Sequence, residues 1–128
     1  MPVTLGINPI GWTNDDIHWL GDDIPLEVCL AEAREAGFSG IELGRKFPRR
    51  AAELGPLLDR HGLRLVSGWY SGKLLQRTTR QEIAAMRDHL DLLAALGAPL
   101  LVFGETCGEI NGNVGAGAST RPTIGSAA

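Results

Sequence analysis

Cysteine is scarce in this chain of 128 residues: Cys29 and Cys107 are the only two, and neither sits in a CxxC pair or a zinc-type spacing. A disulfide scaffold is excluded, and a reducing cytoplasm fits. No apolar run reaches the ~20 residues needed to cross a bilayer, and the N-terminus lacks the basic, apolar and small-residue order of an export signal. A soluble, cytoplasmic protein is expected, without a membrane partner. An excess of charge of one sign is also lacking, since 12 Lys and Arg stand against 15 Asp and Glu for a net charge of -3. That balance gives no basic face for nucleic acid and no acidic tail, so the expected partner is a small neutral or anionic molecule. The three histidines, His18, His61 and His89, are not linked by any HxxE, HExxH or triad spacing. Structural or solvent roles are expected of them, with His89 on the charged face of a helix, and no complete metal site can be assembled.

What is present is alternation. Strand-like runs at Val3–Asn8, Gly40–Gly44, Leu63–Trp69 and Leu100–Glu105 are separated by helical runs at Asp23–Ala36, Ala52–His61 and Thr79–Leu96. In the first helix Leu26, Cys29, Leu30, Ala33 and Ala36 recur at helical spacing, Asp22 or Asp23 can cap it, and Pro25 suits its first turn. In the second, Leu54, Leu57 and Leu58 point inward, and Pro56 is awkward unless it falls in the first turn. In the third, Thr79 and Glu82 suggest a capping box, with Ile83, Met86, Leu90, Leu93 and Leu96 as the inward stripe. Each helix is followed by a glycine, Gly37, Gly62 or Gly97, suited to a left-handed closing turn.

Nearly continuous apolar strands joined by helices imply a parallel sheet with right-handed crossovers. Four strands and three helices give either the first half of a (β/α)8 barrel or a small open sheet, and periodicity does not choose between them. The domain is expected over residues 1–107. Residues 108–128 hold no apolar stripe and read as a Gly-rich loop or disordered tail.

In any parallel α/β fold the site lies beyond the carboxyl ends of the strands. That rule selects Asn8 and Trp12; Glu42, Arg45 and Lys46; Trp69, Tyr70 and Ser71; and Glu105 and Thr106. Amides and carboxylates of this kind take hydroxyl hydrogen bonds, while indole faces cover the C–H side of a ring, so a polyhydroxylated ligand is suited. Each residue also has a plainer reading. Asn8 before Pro9 can simply turn the chain, Trp12 can be a packing lid, and Lys46 can be a solvated loop charge. Trp69 and Tyr70 can belong to the core. Glu42 should face opposite to Ile41 and Leu43, where a carboxylate needs a partner.

The segments GINPIGWTNDD, AREAGFSGIELGRKFPR, LVSGWYSG and FGETCGEI, in that order and spacing, together resemble the N-terminal half of the inosose dehydratases, in the xylose-isomerase-like group of TIM barrels. The resemblance implies a half-barrel from a metal-dependent carbon–oxygen lyase of inositol catabolism, which removes water from 2-keto-myo-inositol. It further implies a divalent ion such as manganese or cobalt, with ligands on later strands beyond residue 128, and therefore no turnover by this chain alone. By the same resemblance Glu42 and Lys46 would handle protons, and Asn8, Trp12, Trp69, Tyr70 and Glu105 would contact substrate. A related sugar isomerase or epimerase is the alternative. So is a non-catalytic half-barrel that self-associates through the unpaired edges of its first and fourth strands.

Overall fold

Each helix passes the chain to a strand through the same turn. In the computed structural model, which describes residues 3–108 and 115, the helices are α1 (Leu26–Glu35), α2 (Ala51–Arg60) and α3 (Thr79–Ala95). The glycines that follow, Gly37, Gly62 and Gly97, have φ of +94°, +64° and +68°. Beyond them the amides of Phe38, Leu63 and Ala98 donate back to the carbonyls of Ala33, Leu58 and Leu93 at 3.1, 3.1 and 2.9 Å. The left-handed residue satisfies the last helical carbonyls and reverses the chain, so each helix leads directly into the strand after it.

The strands are β1 (Gly6–Ile7), β2 (Gly40–Leu43), β3 (Arg64–Gly72) and β4 (Leu100–Glu105), hydrogen-bonded in that order and all parallel. All three helices share one core with the sheet, in which Leu30, Ile41, Leu54 and Leu63 are the largest fully buried side chains. The other face carries Gly6 and Gly40, and a Cβ at either would meet Val66. Four sequential parallel strands with helices on one face make an α/β half-barrel.

Several sequence expectations shift on contact with the fold. β1 is two residues long instead of six, because only Gly6 and Ile7 pair with β2, and Val3 and Leu5 are exposed ahead of it. β3 runs on to Gly72, held by pairing with β4 up to Glu105. α1 has Pro25 at its N-cap and no side-chain cap; the Asp22 carboxylate lies 3.0 Å from Arg45 instead. Pro56 falls in the second turn of α2. The helical donor to the Ala52 carbonyl is thereby lost, and the exposed position leaves water to replace it.

The capping box of α3 is formed by Thr78 and Gln81, one residue earlier than Thr79 and Glu82. Of the expected inward stripe, Leu93 is buried and Leu96 packs on the core. Ile83 and Leu90 are exposed instead, and the buried positions include Leu92 and Glu82, the latter ion-paired with Arg77 at 3.3 Å. His89 accordingly leaves the charged face and packs on Tyr70, with ring centroids 5.7 Å apart. The tail expected from Gly108 onward lies, apart from Gly108 and Gly115, outside the described residues.

Candidate functional site

A register shift in the sheet aims the central carboxylate. Ile41 pairs with Leu65 but Glu42 pairs with Ser67, so Val66 is the extra residue of a bulge on β3. Val66 and Ser67 consequently both reach the inner face, the first beside Gly6 and Gly40 and the second beside Glu42. The Ser67 hydroxyl donates to Glu42 Oε2 at 2.6 Å, and the Asn8 amide donates to Glu42 Oε1. Asn8 is itself fixed, since its Oδ1 accepts the amide of Ile10 at 2.8 Å as the cap of a short 3-10 turn over Pro9–Gly11. Glu42 is thus held on both oxygens by neighbours from β3 and from the loop after β1.

Around this group lies a cavity of about 240 Å³, lined by Asn8, Pro9, Ile10, Asp15, Asp16, Glu42, Leu43 and Trp69. With ~30 Å³ per liquid water, that is room for a single small molecule. Trp69 is half exposed, and its indole N–H donates to Ser71 Oγ at 3.0 Å, which fixes the ring plane. A larger hollow of about 510 Å³ opens at the amino ends of the strands, between Thr4, Arg64, Pro99 and Leu100. In parallel folds ligands sit at the opposite, carboxyl end, where the smaller cavity is.

Three of the sequence candidates, Asn8, Glu42 and Trp69, therefore meet at one cavity, joined on its wall by Asp15 and Asp16, while Ser67 bonds Glu42 from β3 without lining it. The acidic pair was visible in the TNDD run, but nothing in that run shows which way it faces. The Ser67 contact depends on the bulge, for which the sequence carries no signal.

Lys46 does not line the cavity. Its ammonium donates to the carbonyls of Gly21, Asp22 and Ile24 at 3.1, 2.7 and 2.6 Å. Arg45 works beside it, donating to the carbonyls of Asn14 and His18 at 3.0 and 2.8 Å and to Asp22 at 3.0 Å. Two consecutive cations after β2 thus clamp the long loop between β1 and α1. That loop supplies Asp15 and Asp16.

Trp12, Tyr70 and Glu105 also lie away from the cavity. The Trp12 indole packs on the core and donates to Glu32 of α1 at 2.5 Å. Tyr70 points to the helix side, stacked on Phe103 at 5.9 Å, and burial together with the Glu82 carboxylate pushes its phenol above the ordinary value. Glu105 accepts the amides of Leu74 at 2.6 Å and Cys107 at 2.9 Å. Hydrogen bonding from Cys107 first, then these amides, holds its carboxyl below the usual range. It ties the loop after β3 to the loop after β4.

The chain's relatives carry related names. It is 45% identical over 124 residues to the rhizopine catabolism protein MocC of Rhizobium meliloti, which covers 97% of this chain and 38% of that protein. It is 40% and 38% identical over 112 residues to the inosose dehydratases of Geobacillus thermodenitrificans and Lacticaseibacillus casei, in each case 88% of this chain and 38% of the relative. No family model matches the chain. It spans about two-fifths of the length of these relatives. At these identities, over nearly its whole extent, the chain is a homologue of the N-terminal portion of the inosose dehydratase and rhizopine catabolism proteins.

Proposed function

We propose that this chain is the substrate-binding part of a dehydratase that removes water from 2-keto-myo-inositol, a carbon–oxygen lyase. One observation carries the reading beyond homology: a carboxylate held between Asn8 and Ser67 shares a small cavity with the indole of Trp69. Removing water from a hydroxy-ketone requires a base near the acidic carbon and an acid near the departing oxygen. Glu42 is the group placed for such a proton. Each of its oxygens keeps a lone pair beyond its present bond, and Ser67 and Asn8 fix its direction. Trp69 offers an apolar face to the C–H side of a ring. Lys46, engaged by three carbonyls, is assigned a structural part instead.

The reading includes a divalent ion, manganese or cobalt, which would stabilise charge on the ketone oxygen. Among the described residues no group of three or more His, Cys, Asp or Glu side chains is arranged to hold a metal ion. These residues do not fit the ion, so its ligands are assigned outside them and no step here is routed through it. A reducing compartment is part of the proposal, on the two free thiols Cys29 and Cys107. No helix among the described residues is long and apolar enough to cross a membrane. Self-association is part of it too, since Leu5 and Leu100 are more than half exposed on or beside the two outer strands.

Titration calorimetry of the chain with 2-keto-myo-inositol tests the reading, with Trp69→Ala as the paired variant. Binding that weakens several-fold in the variant is expected. No binding by the unaltered chain, or equal binding of an acyclic ketose, would sink it, the latter in favour of a sugar isomerase or epimerase.

A further inference from the structure

Three carboxylates line the cavity, and they differ in what they already hold. Glu42 is bonded on both oxygens, by Asn8 and Ser67. Asp15 accepts the Arg45 amide at 3.4 Å. The Asp16 carboxylate has neither hydrogen bond nor ion pair among the described residues. Its backbone, in contrast, is fixed. Asn14 Oδ1 accepts the amides of Asp16 and Ile17 at 2.9 and 2.7 Å, and Arg45 holds the carbonyls of Asn14 and His18 on either side. An unengaged carboxylate is thus carried on a clamped stretch of loop at the wall of the cavity.

We propose that Asp16 is a specificity-determining residue of this site, gripping two adjacent hydroxyls of the substrate with its two oxygens while Trp69 covers the neighbouring C–H face. This rests on the reading of the site as one for a polyhydroxylated ring ketone. An ionised carboxylate only accepts, so it pairs with hydroxyl donors and has nothing to offer a ketone oxygen. Two hydroxyls on adjacent carbons present their O–H groups to one carboxylate as a fork, and both bonds are charge-assisted. The ring is therefore oriented with its diol edge toward Asp16 and its ketone away from it. Glu42 and Asp16 divide the work, the first held for proton handling and the second free for recognition.

The test compares ligands across one substitution. Calorimetry on the full chain uses 2-keto-myo-inositol and its monodeoxy analogues, each lacking one ring hydroxyl, with the unaltered protein and with Asp16→Asn. In the unaltered protein, removal of either member of one adjacent pair of hydroxyls should weaken binding about tenfold, the scale of a lost bond to a charged group. Asp16→Asn keeps one acceptor and turns its amide N–H toward the other hydroxyl, so only the charge assistance of the two bonds is lost; it should weaken the parent ligand several-fold and shrink the discrimination against those two analogues. Its urea midpoint should not move, because the side chain is exposed and bonds none of the described residues. Unchanged affinity in Asp16→Asn, or lowered affinity with the discrimination intact, overturns the assignment of Asp16 and leaves the site reading standing. Failure of the unaltered protein to bind the parent ligand overturns the site reading itself, and the assignment with it.

Discussion

The side-chain amide of Asn8 donates to the carboxylate of Glu42, joining the loop after β1 to β2 at the mouth of the cavity. Ser67 closes the other oxygen from β3, and its side chain is buried. Three segments of the half-barrel are thus tied through one carboxylate. Glu42→Ala would leave a buried hydroxyl and an amide without a partner, at about 1–3 kcal/mol. Glu42→Gln keeps an acceptor for Asn8 and turns a donor toward Ser67, whose hydroxyl rotates to accept it. Urea denaturation should therefore show a clear loss for the alanine variant and less than half of it for glutamine.

Lys46 offers a contrast, because its ammonium is engaged by backbone. Lys46→Met removes three donors from the carbonyls of Gly21, Asp22 and Ile24. Those carbonyls lie in a partly exposed loop where water can replace the ammonium, so the loss should be about 1–2 kcal/mol, at the low end for bonds to a charged group. Lys46→Arg should not restore it, since a planar fork does not converge on three carbonyls as an ammonium does. Amide hydrogen exchange should speed up between residues 21 and 28 in both variants. Unchanged exchange there would show that the clamp is not what orders the loop.

The same loop sets a demand on its backbone. Gly21 has φ of +76°, and a Cβ there would lie 1.9 Å from the Trp12 carbonyl oxygen, whereas Gly37, at φ of +94°, would meet nothing within 4 Å. Gly37→Ala should show the left-handed strain alone, about 1–2 kcal/mol. Gly21→Ala adds an overlap with backbone that cannot swing aside, a further ~1–3 kcal/mol. Thermal melts of the two variants give the difference directly. Equal losses would mean that the loop moves to make room.

Periodicity made the order of elements legible, and the glycine after each helix marked its end. β4 falls where its apolar run does, and the other boundaries differ by a few residues at most. Phase within an element was harder to see. Apolar spacing puts Ile83 and Leu90 on the inward stripe of α3, yet both are exposed and a charged residue, Glu82, is buried, ion-paired with Arg77. The strand-end rule selected Asn8, Glu42 and Trp69, which do meet. It could not tell that neighbouring strand-end residues face away. Tyr70 alternates to the helix side, Lys46 reaches back to loop carbonyls, and Glu105 bonds two loop amides. Direction depends on register, and the register here turns on a bulge at Val66.

His89 links this packing to pH. Burial holds its imidazole below the ordinary 6.5; the Gly68 carbonyl opposes that shift and the charge of Arg49 adds to it. The ring lies on Tyr70, and a Cβ at Gly68 would fall 2.9 Å from Nε2, so the pocket has little room to admit water around a charged form. A folded value below the unfolded one means that, as pH falls, the unfolded chain takes up this proton first. The contribution of a neutral His89 is thus fully present above pH 6.5 and is lost as pH drops from there through the folded value. His89→Phe keeps an aromatic ring against Tyr70 and removes the titration. Its urea midpoint should fall less steeply below pH 6.5 than that of the unaltered chain, while above that pH the two curves run parallel. Parallel curves through the acidic window as well would assign the acid sensitivity to the carboxylates alone.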